Sequence, residues 1–221
     1  MTPGAPATGP MRLSHALSST ALLRWLRCSV VGQQRIPSDG GLILAANHRS
    51  FLDHFALGAA SSRPMRFLGK VELSEGPAGP LNMAMGMIPV QRGTADLSAL
   101  DIVISHLQRG AVVGIFPEGT RSPSGELFRF RSGMSRVAAG AKVPIVPVGM
   151  TGMAHVWPRG QTAPSLRRPP EGLLSVRFGT PVMLTDDSAK ARRVATDAVY
   201  EQIADLCGQP LAPGFAPIPT D

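Results

Sequence analysis

The sequence predicts an α/β fold: a single domain with a mixed, mostly parallel central sheet flanked by helices, and an amphipathic helix at its N-terminal end. Three observations lead there. The 221 residues suffice for one domain with a full hydrophobic core. Short apolar runs alternate along the chain with stretches of helical spacing. Several of those runs, such as Ala111–Phe116 and Val143–Val148, are apolar throughout, as strands buried on both faces must be.

Each element follows in order. In residues 21–31, Leu22, Leu23, Trp25, Leu26 and Val30 share one arc of a helical wheel, with Arg24 and Arg27 opposite. This is a short basic amphipathic helix, suited either to an anionic membrane surface or to the protein's own core. Gly41–Ala46 reads as a strand, and Ser50–Ser61 opens like a helix, with Ser50 as N-cap and Asp53 three residues on as a capping box. Met65–Gly69 and Met87–Val90 are short strands. Asp96–Leu107 carries Leu97, Leu100, Ile104 and Leu107 at helical spacing, with Gly110 as the stop. Ala111–Phe116 is a central strand. Pro144 and Pro147 cannot donate to a ladder, which puts the strand 143–148 at an edge or makes it irregular. Leu173–Phe178 is a later strand, and a last helix capped by Asp186 or Asp187 puts Ala195, Val199, Ile203 and Leu206 on one face. The expected organisation is residues 1–35 as tail and docking helix, 36–207 as the folded domain, and 208–221, with its four prolines, as an extended or disordered tail.

Composition narrows the function. Lys plus Arg number 22 against 15 acids, a net charge of +7, so anionic partners are expected. Aromatic residues are only 5% of the chain, too few for base-stacking platforms, which disfavours nucleic acid. The cysteines Cys28 and Cys207 are far apart and the five histidines are scattered, so neither a disulfide scaffold nor a metal site is expected. No apolar stretch is long and unbroken enough to span a bilayer, and residues 1–10 do not resemble a secretory signal.

Chemistry concentrates in four blocks. In Asn47-His48-Arg49-Ser50-Phe51-Leu52-Asp53, His48 is a natural base near neutral pH. Five residues of continuous helix would turn Asp53 away from it. With His48 in the turn and the helix beginning after it, Asp53 can face back and orient the ring; otherwise Asp53 merely caps and His48 is a loop histidine. His54 points elsewhere, toward packing or surface. Phe116-Pro117-Glu118-Gly119-Thr120-Arg121-Ser122 follows a central strand, where ligands of open α/β sheets gather. Arg121 offers a fork of donors to an anion, and Glu118 accepts from hydroxyls or pairs with Arg121 inside a charged turn. Gly86–Arg92 is a strand ending in an arginine, and Val143–Gly149 lines a cleft. Neither the Gly-x-Ser-x-Gly elbow nor the P-loop pattern occurs.

Taken together the four blocks resemble those of the glycerolipid acyltransferase family that includes 1-acyl-glycerol-3-phosphate acyltransferases. Asn47-His48-x4-Asp53 is similar to its His-x4-Asp signature; Gly86-x-Ile88-Pro89-Val90-x-Arg92, Phe116–Ser122 and Val143–Val148 are similar to its later blocks. One departure is Phe130-Arg131-Ser132-Gly133, where the family often has lysine at the second position. The resemblance implies that His48, oriented by Asp53, deprotonates the acceptor hydroxyl of 1-acyl-glycerol-3-phosphate. That hydroxyl then attacks the thioester of an acyl-CoA or acyl carrier protein, making phosphatidic acid with no acyl-enzyme, cofactor or metal. Arg92, Glu118, Gly119, Thr120, Arg121 and, with altered donor geometry, Arg131 would hold the acceptor. It also implies peripheral attachment to the cytoplasmic face of the cell membrane, through the helix at 21–31 and an anionic lipid surface. Alternatives are an acyltransferase for another lysolipid, amine lipid or specialised metabolite, and a non-catalytic lipid-binding protein.

Overall fold

A computed structural model describes residues 9–77, 79–84, 86–90 and 97–217. The chain runs through α1 (Gly9–Leu26), β1 (Ser29–Val31), β2 (Leu42–Ala46), α2 (Leu52–Ala60), β3 (Met65–Lys70), α3 (Glu72–Glu75), α4 (Gly79–Ala84) and β4 (Met87–Val90). It continues through α5 (Leu97–Gln108), β5 (Val112–Ile115), β6 (Leu127–Arg129), α6 (Gly133–Ala141), β7 (Ile145–Thr151), α7 (Met153–Val156), β8 (Ser175–Phe178), α8 (Ala189–Cys207) and β9 (Leu211–Phe215).

Seven strands form one sheet in the order β1-β8-β7-β2-β5-β3-β4, and β6 pairs with β9 beside it. All neighbours in the large sheet are parallel except β7 and β8, so β8 and β1 run against the other five. The expected mixed, mostly parallel sheet is therefore present.

β2 is the central strand, and its pleat decides the layers. Leu42, Leu44 and Ala46 face the core shared with α1, α2 and α7. Ile43 and Ala45 face the opposite core, filled by α5, α6 and α8. All five residues are buried, as a strand covered on both faces requires. The connection from β2 to β3 carries α2 on one face, and that from β5 to β7 carries α6 on the other. The carboxyl ends of β2 and β5 thus meet at a crevice where the winding changes sides.

Several expectations change. The helix expected at 21–31 ends at Leu26; Arg27 takes a left-handed φ of 50°, and Val30 belongs to edge strand β1. The sheet therefore starts before residue 36. Of the apolar arc, Leu26 is fully buried and Leu22 and Leu23 pack on the same core, while Trp25 stays exposed.

The proline-bearing strand β7 is interior rather than at an edge. Ile145 exchanges two hydrogen bonds with Val182, so the backbone N of Ile145 faces the β8 side, and two residues on that of Pro147 does too. Regular pairing with β8 begins only at Val148, and at Pro147 just the carbonyl is used, by Gly179 N at 2.7 Å. The missing donor falls at the end of the β7–β8 ladder and on the side away from β2, so it interrupts no bond to the central strand.

The cap of α8 is Ser188, whose hydroxyl accepts from Ala191 N; Asp186 accepts instead from Ser188 N at 2.6 Å, and Asp187 pairs with Arg192. After residue 207 the described residues, 208–217, are extended, one of the two expected alternatives, but docked on the fold. Gly208, left-handed at φ 62°, turns the chain back, and β9 docks along β6.

Candidate active site

Two loops leave the adjacent strands β2 and β5 at the same end. From β2 come Asn47 and His48, before α2 begins at Leu52. His48 thus sits in the turn and Asp53 in the first helical turn. His48 Nδ1 lies 2.9 Å from Asp53 Oδ2, and both residues are buried. The same oxygen accepts from Arg49 N at 2.7 Å and Ser50 N at 2.8 Å. An oxygen that already receives two amide donors acts as an acceptor, so Nδ1 carries the hydrogen. Among the described residues nothing bonds Nε2, the lone-pair nitrogen of that tautomer.

The capping box is only half formed. Asp53 reaches back to Ser50 N, but the Ser50 hydroxyl accepts from Leu52 N at 3.0 Å and donates to Trp157 O at 2.7 Å. The last bond ties the helix start to the loop after α7.

His48 stacks on Phe116, ring centroids 4.0 Å apart and nearly parallel, and meets the edge of His54 at 5.1 Å. His54 also packs edge-on against Phe116 and Phe67, so it packs as one alternative had it, but beside the His48 ring rather than pointing elsewhere. This aromatic wall fixes the ring's plane.

The backbone of His48 is clasped from β5. Its N–H donates to Glu118 Oε1 at 2.8 Å, and its carbonyl accepts from Ser122 N at 2.7 Å. Glu118 was expected at the acceptor. The structure instead gives it no accessible surface, and its second oxygen accepts from Phe128 N at 3.1 Å. Its carboxylate organises backbone and forms no pair with Arg121. Burial pushes the Glu118 carboxyl up to about 7, against the pull of its two amide donors.

Gly119 takes φ 80°, a conformation that favours glycine, and is exposed. Thr120 and Arg121 follow, half-buried, and the Arg121 guanidinium meets no acceptor among the described residues. Arg131 lies against Gly119, where an added Cβ would be 3.3 Å from its side chain. Its guanidinium donates to Ala216 O at 2.9 Å and sits 5.6 Å from the centre of the Phe215 ring. Arg92 lies outside the described residues. A hollow of about 310 Å³ between residues 182–186 and the start of α8 touches none of these groups, and no residue of 143–149 lines it, so it is not the cleft expected along that strand.

Two polar residues with no role in the sequence reading complete the site. Asn47 bonds both backbone groups of Met150, Oδ1 from N at 2.8 Å and Nδ2 to O at 2.9 Å. It bolts the end of β2 to β7. Its place directly before His48 was the available signal. Gln209, 162 residues away, bonds Asn47 and had no local signal at all.

An imidazole held by a buried carboxylate at the carboxyl ends of a parallel sheet is equipped to take a proton from a substrate group. The family model described as Acyltransferase matches residues 27–151, more than half of the chain, and the protein belongs to that family. A chloroplastic 1-acyl-sn-glycerol-3-phosphate acyltransferase of Brassica napus is 30% identical over 147 residues, 65% of this chain and 42% of its own. The human 1-acyl-sn-glycerol-3-phosphate acyltransferase alpha is 31% identical over 175 residues, 75% of this chain and 59% of its own. The crystal structure of the 1-acyl-sn-glycerophosphate acyltransferase PlsC from Thermotoga maritima superposes with a TM-score of 0.70 at 26% identity, covering 89% of this chain and 79% of that one. The chain spans 41–44% of the length of the plant and algal relatives it matches.

Proposed function

We propose that this protein transfers a fatty acyl group from an acyl-CoA or acyl carrier protein thioester to the free hydroxyl of 1-acyl-glycerol-3-phosphate, forming phosphatidic acid. The observation that carries this reading is the 2.9 Å His48–Asp53 contact, with His48 Nε2 left unpartnered among the described residues. Family membership and relatives named for this reaction support it.

In the proposed step Nε2 takes the hydroxyl proton as the oxygen attacks the thioester carbon. Asp53 steadies the imidazolium that forms. The carbon–sulfur bond breaks, and the departing thiolate receives the proton back from His48. No acyl-enzyme is required. The acceptor's phosphate is assigned to Arg121, whose guanidinium meets no acceptor among the described residues, with Gly119 and Thr120 beside it; Arg131 and Arg92 are assigned supporting roles.

An acceptor of this kind lives in a bilayer, so we extend the reading to peripheral docking through the end of α1. Arg24, Trp25 and Arg27 are exposed there, and among the described residues no helix is long and apolar enough to cross a membrane.

The test is release of free thiol from a long-chain acyl-CoA with lysophosphatidate as acceptor. Wild-type turnover that falls by about 10²–10⁴-fold in His48→Ala is expected. Turnover surviving in His48→Ala, or none in the wild type with any acceptor, refutes the reading.

A further inference from the structure

Asn47 and Gly125 lie on the two loops that hold His48, and one side chain from beyond α8 spans both. Gln209 Oε1 accepts from Asn47 Nδ2 at 2.5 Å, and Gln209 Nε2 donates to Gly125 O at 2.7 Å. The directions are forced by chemistry. Met150 N can only donate, which fixes Asn47 Oδ1 toward it and leaves Nδ2 with two hydrogens. One goes to Met150 O, the other to Gln209 Oε1. Gly125 O can only accept, so the other end of Gln209 must be its amide nitrogen. The result is one directed relay from β7 through Asn47 and Gln209 to the loop after β5.

Both partners of Gln209 connect to the base. Asn47 is the residue before His48 and is 1% exposed. On the other side, Gly125 N donates to the Ser122 hydroxyl at 3.0 Å, and Ser122 N donates to His48 O. Gln209 is itself held firmly. It follows the left-handed Gly208 that ends α8, and the next carbonyl, of Pro210, accepts from Leu127 N at 2.8 Å where β9 meets β6.

We propose that Gln209 is a positioning residue for His48, acting through Asn47 and Gly125 without touching substrate. The inference rests on the reading of His48 as the base. It gives the segment after α8 a part in the site that none of the four sequence blocks contains.

Gln209→Met keeps the side-chain length and removes both polar ends. Gln209→Glu keeps an acceptor for Asn47 but sets a second oxygen against the Gly125 carbonyl. In the full chain, each is expected to lower kcat for thiol release by about 10–100-fold, the scale on which small misplacements of a catalytic group act. KM for lysophosphatidate should stay within about twofold. Amide hydrogen exchange should accelerate in residues 47–53 and 118–126 and stay as in wild type in α8. Should the Met variant not fold, Gln209→Asn, too short to reach both partners, takes its place. Unchanged kcat per folded molecule with unchanged exchange in 47–53 overturns the proposal, even if melting temperature falls, because Gln209 would then be structural only. If wild type releases no thiol with any acceptor, the transferase reading falls. The local exchange pattern still decides whether Gln209 holds the His48 loop.

Discussion

Three donors converge on one oxygen of Asp53: the His48 ring and the amides of Arg49 and Ser50. In Asp53→Asn the amide oxygen can still take the two backbone donors, but the charge that steadies a protonated His48 is gone. A loss of about 10²-fold or more in kcat is expected, with acceptor KM far less affected. Steady-state thiol release checks this, and a kcat within threefold of wild type would contradict it. Glu118 carries a different prediction. Its carboxyl sits at about 7 in the fold against an ordinary 4.5, so the folded chain holds this proton more tightly than the unfolded one. That contribution to stability is complete below about 4.5 and fades as pH rises through about 7. Glu118→Gln should flatten this slope. It should also cost about 1–3 kcal/mol, because one amide donor, His48 N or Phe128 N, must then face the –NH₂ end. Urea unfolding at pH 5 and pH 8 measures both effects.

At the scale of elements, α8 and β7 meet at Gly149. A Cβ there would come within 2.4 Å of the Leu206 Cβ and 2.6 Å of its backbone carbon. Gly149→Ala must push α8 off the sheet, at the cost of an overpacked core, about 1–3 kcal/mol. Thermal melting should show it as a fall of about 2–4 °C per kcal/mol. Since α8 leads into Gln209, the same variant should also lose activity beyond its loss of folded protein. The elements themselves were largely legible. Strands at 42–46 and 87–90 and the helix at 97–108 follow from apolar periodicity, a local property. The end of α1 was not, because the arc of Leu22, Leu23, Leu26 and Val30 fits a helix as well as a helix followed by a strand. Only the pairing of β1 with β8 at Val30↔Val176 settles it. The cap of α8 fell to Ser188 because neighbouring Asp186 and Asp187 found other partners.

At the scale of the whole molecule, the net charge of +7 and the exposed Trp25 beside Arg24 and Arg27 define the docking experiment. Sedimentation with vesicles should rise with the fraction of anionic lipid and fall with salt, since surface attraction is screened beyond about 8–10 Å at 0.1–0.15 M ionic strength. Trp25→Ala should weaken it further. Binding indifferent to both salt and Trp25 would remove the docking role from this helix.

The sequence by itself determined the layered α/β architecture and, through the resemblance of its four blocks, the family. Both rest on short-range pattern: apolar spacing, or blocks of about seven residues each. From the residues alone the sequence left open whether Asp53 orients His48 or merely caps, and the structure shows the contact. What tertiary structure decided is how that pair is held. Glu118 accepts from His48 across 70 residues, and Gln209 reaches Asn47 across 162. Contacts of such length leave no periodicity to read, because the sheet alone brings their ends together, and the hydrogen-bonding capacity of a buried amide or carboxylate is spent on whatever the fold places beside it.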